Sequence, residues 1–244
     1  MARLSIASDI INRVAAEVGL LKVADPLSSV DETFIQLSEL LNAAGQELVE
    51  LWPWQVLVKP FQVVTQDTDS GTYDLPDDFS YMIDQTGWEH SNRVAIGGPL
   101  SAQDWTYLAG RDLISQSIYA SFRLVDNKFD IYPQDPVPAG LDINFEYISR
   151  NWVQEQGTGD LSDLVTVGSD VVLYEPILII KFLKVKWLQA KGFDTTAAVT
   201  ELENIWGSRT GKDTGAAVLN ASRGSRGMPY LSAYGSTPDT GFGM

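Results

Sequence analysis

Residues 141–149 read Leu-Asp-Ile-Asn-Phe-Glu-Tyr-Ile-Ser. Leu141, Ile143, Phe145 and Tyr147 alternate with Asp142, Asn144 and Glu146. That period of two predicts a strand with one face on a core and the other toward water. Upstream and downstream of this β-rich middle the apolar period becomes helical. Residues 4–21 place Leu4, Ile10, Ile11, Val14, Val18 and Leu21 on one face, with Gly19 as a stop. Residues 30–52 predict a longer helix, with Phe34, Leu37, Leu41, Leu48 and Leu51 facing inward and Pro53 ending it. Its start reads as a capping box, Ser29-Val30-Asp31-Glu32.

The same helical period returns after the middle. Residues 176–191 predict a third helix, with Pro176 in the first turn, where a missing N–H costs nothing, and Gly192 past the end. Its apolar residues leave little of it polar, so it is predicted to be the central one. A fourth helix is predicted over 195–206, capped by Thr195 or Thr196, with Val199, Leu202 and Trp206 inside.

Several shorter signals fill the middle. Residues 56–65 alternate loosely and are rich in Val and Phe, and Asp69-Ser70-Gly71 is a turn. Residues 79–83 predict a short strand, and 101–108 a short helix opened by Ser101 with Asp104 three positions on. Residues 119–125 and 128–132 flank Asp126-Asn127 as a hairpin. Residues 153–170 read as a loop. The predicted fold class is therefore α+β: a helical bundle formed by 1–53 and 153–208, a small antiparallel β-domain inserted at 54–152, and an extended C-terminal tail at 209–244.

Composition narrows the function. The 244 residues hold no cysteine and a single histidine, His90, which excludes disulfides, thiolate chemistry and any zinc site built on several imidazoles. No metal or cofactor is expected. The net charge of −15 argues against specific binding of nucleic acid, which rests on phosphate neutralisation by Lys and Arg. No apolar run approaches the roughly 18 residues of a membrane span. Asp9, Asn12, Arg13 and Glu17 interrupt any signal-peptide pattern, so synthesis in the cytoplasm is expected. From residue 209 onward there are four basic residues, Arg209, Lys212, Arg223 and Arg226, against two acidic ones, so the acidity belongs to the rest of the chain. Eight glycines from Gly207 onward raise the entropy cost of ordering this tail, while Met228, Pro229, Tyr230, Leu231, Tyr234 and Phe242 offer contact area. The composition predicts a tail that is mobile in the free protein and ordered on a partner.

Candidate chemistry is thin. Asp77 and Asp78, with Asp74 nearby, form the best carboxylate cluster for a hydrolase, but Tyr-Asp-Leu-Pro-Asp-Asp-Phe also reads as a turn. His90 is a general-base candidate without a nucleophile motif beside it. Asp67, Asp69 and Ser70-Gly71 echo a calcium loop with the glycine misplaced and the closing Glu missing. Gly97-Gly98-Pro99 lacks the Gly-Lys-Ser/Thr of a phosphate loop. Lys181, Lys184 and Lys191 share a helix, as a solvated face or a salt-bridged subunit contact. The seven tryptophans are assigned mostly to core or interface, ahead of a sugar-stacking platform.

Two stretches resemble a known family. Residues 9–21, Asp-Ile-Ile-Asn-Arg-Val-Ala-Ala-Glu-Val-Gly-Leu-Leu, followed by a helix ending Leu48-Val-Glu-Leu-Trp-Pro-Trp54, resemble the helical hairpin that opens head-to-tail adaptor proteins of short-tailed phages. Residues 73–79, Tyr-Asp-Leu-Pro-Asp-Asp-Phe, with Gly98-Pro-Leu-Ser-Ala-Gln-Asp-Trp105 after them, resemble the β-rich insert of larger members. Together they cover under half the chain. The resemblance implies a structural virion protein of the neck or tail, without catalytic residues, that forms a ring of twelve copies. Such a ring joins the portal protein to a downstream tail or nozzle protein and continues the DNA channel. It places portal contact on the C-terminal extension, here Arg209, Lys212, Arg223, Arg226, Met228, Pro229, Tyr230, Leu231 and Tyr234. The alternatives are another virion part, such as a tail-tube or head-completion protein, and a hydrolase using Asp77 or Asp78.

Overall fold

The structure is a computed structural model and describes residues 4–111, 121–134 and 137–213. Four helices share one apolar core: α1 (Ala7–Glu17), α2 (Glu32–Leu51), α4 (Pro176–Lys191) and α5 (Thr196–Asp213). A shorter helix, α3 (Ala102–Arg111), lies in the β-rich middle. α4 packs against α1, α2 and α5, which makes it the central helix its composition predicts. Leu178, Ile179 and Leu183 of α4 meet Ile10, Ile11 and Val14 of α1 and Leu37, Leu41 and Leu48 of α2 in that core.

The helix ends follow local chemistry. The α2 cap is Asp31, whose carboxylate accepts from the Thr33 N–H at 2.8 Å. Ser29 does not close the expected box with Glu32; its hydroxyl accepts from the Asp31 N–H, one residue earlier. α1 and α4 both end in a left-handed glycine, Gly19 (φ +81°) and Gly192 (φ +70°). At each end a pair of backbone bonds spans the last turn: Leu20 N–H to Ala15 O with Gly19 N–H to Ala16 O, and Phe193 N–H to Leu188 O with Gly192 N–H to Gln189 O. This termination corrects the apolar face read for 4–21. Leu20 turns back onto the core, while Leu21 is 88% exposed. Leu51 is likewise exposed, because the chain leaves α2 in an extended conformation at Trp52. Trp54 then folds back, and its indole N–H donates to Leu48 O.

The middle is antiparallel. The strand read from 141–149 is β9 (Asp142–Ser149), flanked by β2 (Val58–Val64), β4 (Phe79–Met82) and β5 (Trp88–Glu89), with β6 (Val94–Ala95) outside β5. The β2–β9 register pairs Phe61 with Phe145 and Val63 with Ile143. A second sheet holds β3 (Thr72–Asp74), β8 (Lys128–Tyr132) and β7 (Ser121–Val125), the last two joined through Asp126 and Asn127, both at positive φ. That conformation is the one a two-residue type I′ hairpin requires. Phe61, Phe129 and Phe145 pack against one another at tilted angles between the two sheets, with centroid distances of 4.7–5.9 Å.

Residues 153–170, read as a loop, carry two short strands instead. β10 (Val153–Gln154) pairs with β11 (Leu161–Ser162) and with β12 (Val171–Val172), and β12 pairs with β1 (Ser5–Ile6) at the chain's start. Two-residue strands carry too little alternation to be seen in a sequence. They form here because Trp152, fully buried and stacked on Tyr174, pins the segment to the helical core.

The largest correction falls at the C-terminal end. α5 does not stop at 206; it continues through Gly207 and Gly211 to Asp213. Each helical glycine costs about 1 kcal/mol relative to alanine. Tertiary contacts offset that cost. Trp206 packs edge-on against Trp54 at 5.5 Å, and Thr210 is buried with its hydroxyl donating to Trp206 O. Arg209 pairs with Glu175 at 3.4 Å, and the Asp213 carboxylate accepts from the Gln55 N–H. Arg209 and Lys212 are therefore helical residues of the body and not the start of an extended tail.

Candidate functional site

A large concave surface lies beside the end of α5. It is a groove of about 950 Å³, assembled from five separated stretches of chain, Gln156 being the lone residue of one of them. Leu4 and Ile6 come from the β1 edge, Val171 and Leu173 from the β12 segment, and Trp54 and Val56 from the turn after α2. Tyr174 completes the apolar wall. Its ring stands edge-on to Trp54 at 6.0 Å and its hydroxyl donates to Gly45 O at 3.0 Å. Burial pushes the Tyr174 phenol well above its ordinary value, so it stays neutral and serves as a wall. The rim is polar: Arg209, Lys212 and Asp213 from the last turns of α5, with Glu175 paired to Arg209. Such a surface can seat apolar and aromatic side chains between charged edges. It holds no nucleophile poised beside a base.

The structure separates the members of the carboxylate cluster. Asp78 accepts from Lys59 Nζ at 2.5 Å, from the Ser149 hydroxyl at 2.6 Å and from the Tyr147 hydroxyl at 2.9 Å. Burial alone would raise its carboxyl, but the bonds from Lys59, Ser149 and Tyr147 outweigh burial and hold it below the usual range. The Asp78 backbone carbonyl also takes the Arg150 N–H. Asp78 is thus a bracket that ties the 73–79 turn to β2 and β9. Asp74 points elsewhere, 89% exposed and 3.7 Å from Lys128. Ser149 is fully buried and out of reach of a substrate.

The other sequence candidates resolve into local structure. His90 is 59% exposed, with Nδ1 3.1 Å from the Asn144 amide. Asp69 accepts from the Gln66 N–H and the Tyr73 hydroxyl, which closes a turn at Gly71 (φ +74°). Gly98 lies against Phe122, where an added Cβ would come within 2.5 Å of the Phe122 carbonyl oxygen, so close strand packing explains the glycine. Lys181 and Lys184 each reach both Glu17 and Glu201, at 2.9–3.5 Å, which makes a clamp across α1, α4 and α5 within one chain. Lys191 lies over the Trp187 ring at 4.5 Å. Among the described residues, no group of three or more His, Cys, Asp or Glu is placed to hold a metal ion, and no helix is long and apolar enough to cross a membrane.

Of the residues assigned to portal contact, the structure brings Arg209 and Lys212 together on the groove rim. Arg223, Arg226, Met228, Pro229, Tyr230, Leu231 and Tyr234 lie outside the described residues. The apolar wall of the groove was missed in the sequence. No local pattern joins positions near 5, 55, 172 and 210. No family model matches the chain, and no curated protein is significantly similar to it.

Proposed function

We propose that this chain is a non-enzymatic structural protein of a phage virion: a head-to-tail adaptor whose copies form a closed ring between the portal and the tail. The observation that carries the reading is the end of α5. Its last turns, with Arg209 and Lys212, reach the surface beside an apolar groove and hand on 31 further residues that contain Met228, Pro229, Tyr230, Leu231 and Tyr234. Aromatic side chains with two torsions supply large contact area at modest entropy cost, and Arg223 and Arg226 suit carboxylates on a partner. Helices that flank a β-rich insert, with the 73–79 turn bracketed onto that insert by Asp78, agree with the architecture the resemblance implies.

The charge supports the same reading. A ring with an acidic lumen does not trap the phosphates of DNA that must slide through it. Rings arise from heterologous contacts that close, so the free chain needs no self-complementary face. A hydrolase reading finds less support, because all three side-chain partners of Asp78 serve the fold.

The test is mass measurement by light scattering with and without a purified portal ring. The free chain is expected to be monomeric or weakly associated, and a closed ring is expected to form on the portal. Deleting residues 214–244, which leaves α5 whole, is expected to keep the body folded and to weaken attachment by at least about tenfold through lost avidity. A persistent monomer in the presence of portal would sink the proposal. Formation of an open tube without portal would favour a tail-tube component.

A further inference from the structure

We propose that, before assembly, the groove beside α5 is occupied by the chain's own segment Met228-Pro229-Tyr230-Leu231. This holds whether or not the portal is what that segment meets later.

Four observations lead there. The groove is large, about 950 Å³, near the top of the roughly 300–1,000 Å³ range of sites that enclose a compact ligand. Its wall is apolar and partly open: Val56 is 49% exposed, and Leu4, Ile6, Val171 and Leu173 are half-buried. Second, Asp213 is itself a rim residue, so the remaining chain departs from the groove's own edge.

Third, the tether has a suitable length. Fourteen residues, from Thr214 to Gly227, separate the rim from Met228. At about 3.5 Å per residue they span at most roughly 50 Å, ample to turn back into the groove. A short tether of this kind presents its end at an effective concentration in the millimolar range. A second copy at micromolar concentration cannot compete with that. Fourth, the chemistry matches. Tyr230 and Leu231 suit a wall built from Trp54, Val171 and Leu173. After Asp213 the chain carries two basic residues against one acidic, and nearly all the acid lies on the body.

Composition by itself predicts a tail without a partner in the free chain. The groove supplies the partner. A partner that binds the same aromatic segment must then draw it out, which couples docking to exposure of the groove.

The absence of cysteine makes a direct test simple. Val56→Cys combined with Tyr230→Cys places one thiol on the groove wall and one in the segment. Val125→Cys with Tyr230→Cys is the control, because Val125 is exposed at the β7–β8 turn of the insert, away from the groove. In the full-length chain with oxidised glutathione, the groove pair is expected to form an intramolecular disulfide about tenfold faster than the control pair. Intact mass and non-reducing gels read the product. In a disulfide-free check, Tyr230→Ala with Leu231→Ala is expected to speed tryptic cleavage after Arg223 and Arg226 severalfold, with the helical circular dichroism unchanged. Equal disulfide rates for the two pairs, disulfide-linked dimers as the main product, or unchanged cleavage would each overturn the proposal. None of these readouts involves the portal, so the proposed adaptor role stands or falls separately.

Discussion

The helical part and the β-rich insert are held together by different means. The helical core is built mainly from aliphatic side chains, with Asp170 as its buried carboxylate. Ile10, Ile11, Leu37, Leu41, Leu48, Ile179 and Leu183 are all fully buried, and its ion pairs, Glu17 with Lys181 and Lys184 among them, sit on the outside. The insert has a smaller aromatic core of Phe122, Phe129 and Phe145, and it relies on buried polar brackets. Asp78 gathers Lys59, Tyr147 and Ser149. Asp130 takes Arg123 and Thr72. Glu89, 2% exposed, takes the N–H groups of Ser91, Asn92 and Asp142. Long amphipathic helices bury enough apolar area to stabilise themselves by packing. Short strands and turns do not, so charge-assisted hydrogen bonds fix their geometry. The two parts are nonetheless one unit. Ile148 of β9 belongs to the helical core, while Tyr147, one residue earlier and on the opposite face, belongs to the insert.

That difference can be broken most forcefully at Trp152. Its ring is fully buried, and its indole N–H donates to Asp163 O at 2.8 Å. Trp152→Ala is expected to cost about 3–5 kcal/mol, the range for deleting a large buried aromatic. Because β2, β4 and β9 contribute to both cores, denaturant unfolding of the variant should remain a single transition by circular dichroism and fluorescence. Two separate transitions would show that the insert is an independent unit.

A smaller effect is expected at the bracket. Asp78→Asn removes the charge that Lys59 needs and is expected to cost about 2 kcal/mol at neutral pH, the scale of a hydrogen bond to a charged group. The Asp78 carboxyl is held below its ordinary value in the folded state. Its contribution is therefore fully present above the unfolded value of about 3.9 and is lost as pH falls through the lower folded value. The gap between wild type and Asp78→Asn should shrink below about pH 4. A gap that stays constant through that range would remove Asp78 from the polar framework.

The smallest effect belongs to the outer clamp. Burial raises the Glu17 carboxyl, and its hydrogen bonds and ion pairs with Lys181 and Lys184 outweigh that, so it too sits below its ordinary value. The pairs are partly exposed, so Glu17→Gln is expected to cost less than about 1 kcal/mol, and added salt should shrink the loss further. A loss comparable to that of Asp78→Asn would mean that the helical part also depends on its charges.

Wherever a long periodic run or a stop residue acts locally, the sequence alone was decisive. It set the α+β class, the bounds of α4 between Pro176 and Gly192, the inward face of β9 and the Asp126-Asn127 turn, because each depends on residues within a few positions of one another. It also made the middle β-rich and the acid a property of the body. Tertiary structure decided the rest. Gly207 and Gly211 look like breakers until Trp54, Glu175 and Gln55 close on α5 from distant parts of the chain. The strands β10 to β12 exist only through pairing with each other and with β1. The groove is the extreme case. Its lining comes from five stretches that only folding brings together, so no local period encodes it, and long-range packing alone placed Arg209 and Lys212 on its rim.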